Sequence, residues 1–345
     1  MFVHLRVHSE YSIADGLIKV ADLVQHAAAA GMPAVAITDR GNLFALIKFY
    51  DACRGAGVKP IVGVEMTHRD EDAEPDARYQ CVLLAGDEVG YRNLIALVSR
   101  AYLDSAQRGC VESRWLAEHS DGVIMLSGAL RGDVGAALTR GDRAAARAAA
   151  AHWQEVFGDR YYVELQRTHR ESEDRYVAAA VDLATELELP VVATNDVCFL
   201  ARDDFEAHET RICIQEGRTL NDPRRPRRYS EEQYFKSAAE MVELFSDIPE
   251  ALENSVEIAK RCSAGIRLGR YFLPNYPVPP GHTLNDYLAD TARARLTERL
   301  RRNAWTRDLA TEQRAVYEAR LDAEVAIINQ MGFAGYFLIV MEFVN

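Results

Sequence analysis

The sequence has no secretory leader, no membrane-length apolar run, no CxxC pair and no excess of positive charge. The opening residues, MFVHLRVHSEYS, show neither the basic n-region nor the apolar h-region of a signal peptide. No uncharged apolar stretch reaches the roughly 18 residues that a spanning helix requires, so no membrane contact is expected. The six cysteines (Cys53, Cys81, Cys110, Cys198, Cys213 and Cys262) are scattered without metal or redox spacing. They read as reduced, mostly buried thiols of a cytoplasmic protein. Against 40 Lys and Arg stand 52 Asp and Glu, a net charge of −12. Such a surface repels phosphate backbones, so any contact with nucleic acid is expected to be local.

What is present is a long, well-patterned chain. With 345 residues and 48% hydrophobic content, it can bury one large core and the start of a second. Apolar runs lie at 2–9, 34–39, 59–66, 79–86, 122–128, 161–166 and 190–197. Most are rich in Val, Ile and Leu without clean alternation, as in strands covered on both faces. Helical patterns fall between them, and Gly31 and Gly57 each follow one where a left-handed cap would sit. Repeated βα units predict a parallel sheet with helices outside it, closed as a distorted TIM-like (βα)7 barrel; an open doubly wound sheet is the alternative. The connection at 67–78 is too short for a crossover helix. The third and fourth runs are therefore expected to pair as a hairpin, bringing Gln80 to the same end as Glu65.

After about residue 205 the pattern turns helical. MVELFSDIPEALENSVEIAKRC reads as a helix pair turning at Ser246, Asp247 and Pro249. A first domain over 1–270 is expected, then a proline-rich linker to 283, then helices over 284–345. The run GYFLIVMEFVN carries no cap or polar tail, which reads as a chain that continues.

Polar residues gather where the runs end: His8 and Ser9, Asp39, Glu65, and Asn195 with Asp196. Carboxylates and imidazole at the carboxyl ends of barrel strands are the ligand types of hard or borderline metals. A single strand-end Asp is more often a turn or helix cap, but four such ends together point to a site. NDPRRPRRY (221–229) places Arg224, Arg225, Arg227 and Arg228 between prolines; it reads as a charged surface loop with possible phosphate contact. The polar stretch around His169 reads as surface.

HLRVHSEYSIADG, ITDRGN, KPIVGVE, GYRNLIAL and VATNDVCFL together resemble the polymerase-and-histidinol-phosphatase (PHP) domain, a metal-dependent phosphoesterase barrel. With RYSEEQYFKS, IPEALENSVEIAKRC, RLGRYFLP and INQMGFAGYFLIVMEFV, the ordered set resembles the bacterial replicative polymerase III alpha family from Phe2 onward. In active family members the mouth holds about three metals. Carried over by position, His8, Asp15, Glu65 and Asp196 keep their ligand type. Arg6, Arg40, Gln80, Ala129 and Cys198 do not. Arginine stays protonated and offers only donors, so it cannot ligate. Arg6 and Arg40 are expected either to pair with Asp15, Glu65 and Asp196, or to swing out and leave a wet pocket; Cys198 reads as a lone buried thiol. The resemblance thus implies a degraded phosphoesterase site, with no resident metal, in a barrel acting as scaffold. It implies docking to a proofreading exonuclease subunit, and the start of a polymerase palm after residue 283. It further implies Mg2+-dependent nucleotidyl transfer, with DNA and sliding-clamp contacts, through regions beyond residue 345. The alternative is a barrel that retains metal-dependent phosphoesterase, exonuclease or pyrophosphatase activity.

Overall fold

A computed structural model describes residues 1–13, 15–70, 77–103, 109–270 and 273–344. Residues 71–76 of the 67–78 connection lie outside the described residues. The chain divides into two units, Met1–Ile266 and Arg267–Asn345.

The first unit runs through α1 (Val20–Ala29), β1 (Ala34–Ile37), α2 (Leu46–Ala56), β2 (Lys59–Arg69), β3 (Tyr79–Ala85) and α3 (Glu88–Leu103). Next come β4 (Cys110–Glu112), α4 (Ser113–Glu118), β5 (Val123–Leu126), α5 (Asp133–Arg140), α6 (Arg143–Phe157) and β6 (Tyr161–Gln166). It ends with α7 (Glu173–Glu186), β7 (Val191–Thr194), α8 (Phe205–Glu216), α9 (Ala238–Leu244) and α10 (Pro249–Arg261). The sheet order is β1-β2-β3-β5-β6-β7, with β4 pairing beside β2. The βα repeat and its TIM-like barrel architecture are present, but the sheet is mixed. β3 runs antiparallel to both β2 and β5, while β1/β2, β5/β6 and β6/β7 are parallel. The hairpin follows from the short 67–78 connection and sets Thr67 opposite Gln80. Two expectations need correction. Residues 2–9 form bridges rather than a regular strand, and the three-residue β4 was too short to show as an apolar run.

That irregular opening segment still joins the two ends of the sheet. Ala36 N donates to His4 O (2.9 Å) and Thr38 N to Val7 O (2.9 Å); on the other side Val197 N donates to Arg6 O (3.1 Å) and His8 N to Val197 O (2.8 Å).

Period-two alternation sorts each strand between two cores. Val62, Val64 and Met66 of β2, with Cys81 and Leu83 of β3, face the helical layer. Ile61, Val82, Leu84, Ile124, Leu126 and Tyr162 fill the opposite face with Val3 and Leu5. Ile258 and Ala259 of α10 belong to that inner cluster, so this helix stoppers one end of it. Gly63 shares the inner face with Ile61 and Glu65, and a Cβ there would lie 2.6 Å from Leu84 Cδ2 and 2.8 Å from Thr38 Cγ2. The strands close up at this level because glycine leaves room. Gly31 and Gly57 take the left-handed conformation at φ 66° and 72°. The six cysteines are free and buried.

The second unit contains α11 (Leu284–Arg302), α12 (Thr311–Gln330) and α13 (Ala334–Val344). Its core is small, centred on Leu288, Ala334 and Leu338. Among the described residues no single helix is long and apolar enough to cross a membrane; α12 and α13 meet that test only as a pair bent by 116°.

Candidate functional site

The inner face of the barrel turns polar toward the carboxyl ends of β2, β6 and β7. Glu65 lies two residues beyond Gly63 on β2, and Glu164 two beyond Tyr162 on β6. Asp196 follows β7 at φ 47°, a left-handed conformation that a non-glycine residue holds only when its surroundings fix it. Arg6 and His8 enter from the opening segment, Asp15 from the loop before α1, Arg40 from the loop after β1, and Arg170 from the loop after β6.

Arg6 is the centre of this arrangement. Its side chain is 1% exposed. Nη2 and Nε donate to Glu65 Oε2 at 2.6 and 3.0 Å, and Nη1 donates to both Glu164 oxygens at 3.2 and 3.1 Å. Nε also lies 3.0 Å from Asp196 Oδ1, as an ionic contact without hydrogen-bond direction. Arg40 Nη1 meets Asp15 Oδ2 at 2.6 Å and its Nε meets Glu65 Oε1 at 2.8 Å. Tyr229 donates its hydroxyl to Asp15 Oδ2 (3.1 Å). Arg170 Nη1 donates to Asp196 Oδ2 (3.0 Å) and its Nε to Glu173 Oε1 (3.0 Å). Gln233 Nε2 also donates to Asp196 Oδ2 (3.0 Å). His8 Nε2 stands 3.3 Å from both Glu65 Oε2 and Asp196 Oδ1.

Such a group of charges survives burial only because it is internally paired. Burial alone would raise the Glu65 and Asp196 carboxyls. The facing Arg40 and Arg6 guanidiniums instead hold Glu65 far below the carboxylate range, and Arg6, His8 and Arg170 do the same for Asp196. Burial would likewise depress His8, but Glu65 and Asp196 outweigh it and carry the imidazole up to about 10. Asp15, Glu65, Glu164 and Asp196 thus face three guanidiniums and a protonated imidazole, with Glu173 sharing Arg170 from outside.

The donors suit a metal only in part. His8, Glu65 and Asp196 offer three ligand atoms within 4.8 Å of one another, a possible site for one ion. The oxygens that His8 approaches, Glu65 Oε2 and Asp196 Oδ1, are the two that Arg6 contacts. An ion there would have to displace a buried guanidinium, and a protonated His8 has no lone pair at Nε2 to give. A two- or three-metal cluster needs further neutral imidazoles and carboxylates. Its neighbours here are Arg6, Arg40 and Arg170, so the set does not fit such a cluster.

The structure therefore gathers Arg6, His8, Asp15, Arg40, Glu65 and Asp196, and both arginines point inward rather than to open solvent. The other positions sit apart. Asp39 accepts from Ser9 N (2.7 Å), Ser9 Oγ (2.8 Å) and Ser12 Oγ (2.7 Å), which makes it a loop anchor. Gln80 only grazes Arg6 Nη2 at 3.5 Å. Ala129 packs in the outer core. Cys198 lies among Phe199, Ile212 and Tyr229, and burial pushes its thiol well up, away from the thiolate that zinc would need. Asn195 donates to the Glu232 and Tyr234 carbonyls, away from the ion pairs. Of the loop arginines, Arg224 lies 3.4 Å from Asp222. Arg225 is tied to Glu209, Arg228 meets Glu216 at 2.9 Å, and Arg227 is exposed.

Sequence reading missed Glu164, Arg170, Tyr229 and Gln233. Glu164 had a usable signal, a lone charge inside the apolar run YYVELQ, because a carboxylate buried in a strand requires a cation. The stretch around His169 is not mere surface, since it delivers Arg170 to Asp196.

These features fit what comparison with known proteins finds. Residues 4–168 match the PHP domain, and residues 286–345 match the bacterial DNA polymerase III alpha NTPase domain. The chain thus carries a PHP domain, the class that its barrel and strand-end cluster define. Over its whole length it is about half identical to the amino-terminal part of bacterial DNA polymerase III alpha subunits. The Pseudomonas aeruginosa subunit is 51% identical over 100% of this chain, as is that of Escherichia coli K12, and that of Vibrio cholerae is 48% identical. The chain spans 30% of the length of each. Among solved structures, an amidohydrolase from Chromobacterium violaceum aligns with 61% of this chain and 97% of its own, at 16% identity and a TM-score of 0.39. A likeness that remote adds nothing to the argument.

Proposed function

We propose that this chain serves as the amino-terminal region of a cytoplasmic replicative DNA polymerase, with its barrel acting as a scaffold and docking surface rather than a phosphoesterase. The 51% identity along this whole chain to polymerase III alpha subunits, of which it spans 30%, supports the first half. The second half is carried by one observation: the Arg6 guanidinium contacts Glu65, Glu164 and Asp196 where a metal cluster would draw its carboxylates. On this reading Arg6, Arg40 and Arg170 supply in fixed form the positive charge that metals supply elsewhere, and the site binds its own side chains. Templated synthesis, with Mg2+ held by paired carboxylates, belongs to regions beyond residue 345, as do the clamp contacts. The helices after residue 283 begin the palm. A barrel without its own nuclease leaves proofreading to a separate exonuclease subunit, which docks on it.

The possible His8, Glu65 and Asp196 site favours a second reading, a single ion serving residual hydrolysis. Elemental analysis of the purified chain, with assays on a phosphomonoester, pyrophosphate and a 3′-labelled oligonucleotide, separates the two. We expect less than one tightly held metal per chain and no metal-dependent hydrolysis. Two or more metals, or hydrolysis abolished by EDTA, would defeat the scaffold reading. Calorimetric titration with the cognate exonuclease subunit tests docking, and absence of heat at micromolar concentrations would count against it.

A further inference from the structure

Beside the ion-paired cluster lies a cleft of about 460 Å3 whose walls are unusually cationic. Arg131, His169, Arg170, Arg227 and Arg228 line it, with Tyr229 between them. Among the described residues the only carboxylate on its walls is that of Glu171, which is exposed. In a chain of net charge −12, four guanidiniums converging from three separate segments run against the overall balance.

The four are not equivalent. Arg170 is anchored by Asp196 and Glu173, and Arg228 by Glu216. Those pairs fix where two of the forks stand. Arg131 and Arg227 have no carboxylate partner among the described residues. Arg131 lies instead over the Tyr229 ring, 5.5 Å from its centroid, and the Tyr229 hydroxyl is already committed to Asp15. The backbone at His169 is held at φ 57°, a left-handed conformation that the surroundings must impose. Two preset and two unsatisfied guanidiniums around one opening repel one another unless an anion sits between them. Arginine forks match phosphate oxygens bidentately, and a dianion or consecutive diester answers this much charge better than one carboxylate does. The volume lies within the small-molecule range of about 300–1,000 Å3, enough for a phosphate with its sugar.

We propose that this cleft is a metal-independent phosphate-binding site, taking either the backbone of a nucleic-acid strand or the phosphate of a free nucleotide. It requires no ion at His8, Glu65 and Asp196, so it stands whether or not the scaffold reading does.

The test uses the whole chain in EDTA at low salt. Fluorescence anisotropy with labelled oligothymidylate and calorimetry with thymidine 5′-monophosphate are compared for the chain, for Arg131→Ala/Arg227→Ala, and for Arg131→Lys/Arg227→Lys. The alanine pair should weaken binding tenfold or more, with the lysine pair intermediate. For the strand, the slope of log K against log salt should fall by about 1.4, since each phosphate contact on a single strand contributes about 0.7. Binding of the oligonucleotide alone assigns the site to a strand, and binding of the mononucleotide assigns it to a terminal phosphate; both support the proposal. No binding of either probe by the chain, or unchanged affinity in the alanine pair, overturns it. Arg227→Ala alone, at an exposed position, keeps the test valid should Arg131→Ala unfold, and is expected to weaken binding at least threefold.

Discussion

Replacing Arg6 with alanine should cost the first unit more stability than any other single charge removal in the chain. The guanidinium is 1% exposed and contacts three carboxylates at 2.6 to 3.2 Å. Removing one partner from a buried pair costs about 3–5 kcal/mol, most of it from the charges left behind. A domain of this size shifts its Tm by about 2–4 °C per kcal/mol, so Arg6→Ala should melt about 10 °C below the parent. The deficit should also depend on pH in a definite direction. Glu65 and Asp196 have native pKa values below their unfolded ones, so their contribution is present above the usual carboxylate range and is lost as pH falls through the native values. Without Arg6 most of that contribution disappears. The gap between the two proteins should therefore be widest near pH 7 and close as pH drops below about 4.5, the ordinary carboxylate range. Calorimetric melts from pH 7 down to about pH 2.5, through the window between the ordinary carboxylate values and the lowered native ones, are the assay. A neutral-pH deficit under 2 °C, or one of constant size across the series, would refute the reasoning.

Arg6→His with Arg40→His restores two imidazoles to the mouth, so added Mn2+ or Zn2+ should raise the Tm of that double variant and leave the parent unmoved; equal response in both would count against the fit argument. Because the native pKa of His8, about 10, lies above the unfolded 6.5, its stabilisation is fully present below pH 6.5 and is lost as pH rises through 10. A His8→Gln variant should lack that alkaline decline in melts from pH 6 to pH 10, while the parent, facing Glu65, Asp196 and Asp15, keeps it. Gly63→Ala places a methyl group 2.6 Å from Leu84 Cδ2, and overpacking of this kind costs about 1–3 kcal/mol, read as a lower urea midpoint; an unchanged midpoint would show that the strands have slack.

Much of the barrel could be read in advance because its strands are apolar on both faces and its helices carry glycine caps. The hairpin of β2 and β3 was legible from a connection too short to hold a helix. The opening segment misled, since its apolar run bridges neighbours without becoming a regular strand. At the site, strand-end position exposed Glu65 and Asp196, because side chains that finish an inward face emerge at the mouth. Glu164 was hidden one level deeper, inside a strand that looked uniformly apolar. Arg170, Tyr229 and Gln233 arrive on loops whose routes depend on how α7 and α8 pack, and no local spacing records that. Asp39 shows the opposite case, a strand-end position that serves the backbone instead, whereas Cys198 is the buried thiol that its lack of ligand companions suggested.

The ring of the first unit is closed by the opening segment around residues 3–8. Val3 N donates to Ser255 Oγ across 252 positions, and Arg6 and His8 bond to Val197. During synthesis these residues leave the ribosome well before their partners, which arrive only after some two hundred more have been added. Closure therefore waits, and long sequence separation between partners slows folding. Until then Arg6 lacks two of its three carboxylate partners, Glu164 and Asp196. Arg6 can meet Glu164 and Asp196 only once those residues have been added, so a change in the opening segment would be felt directly at the mouth.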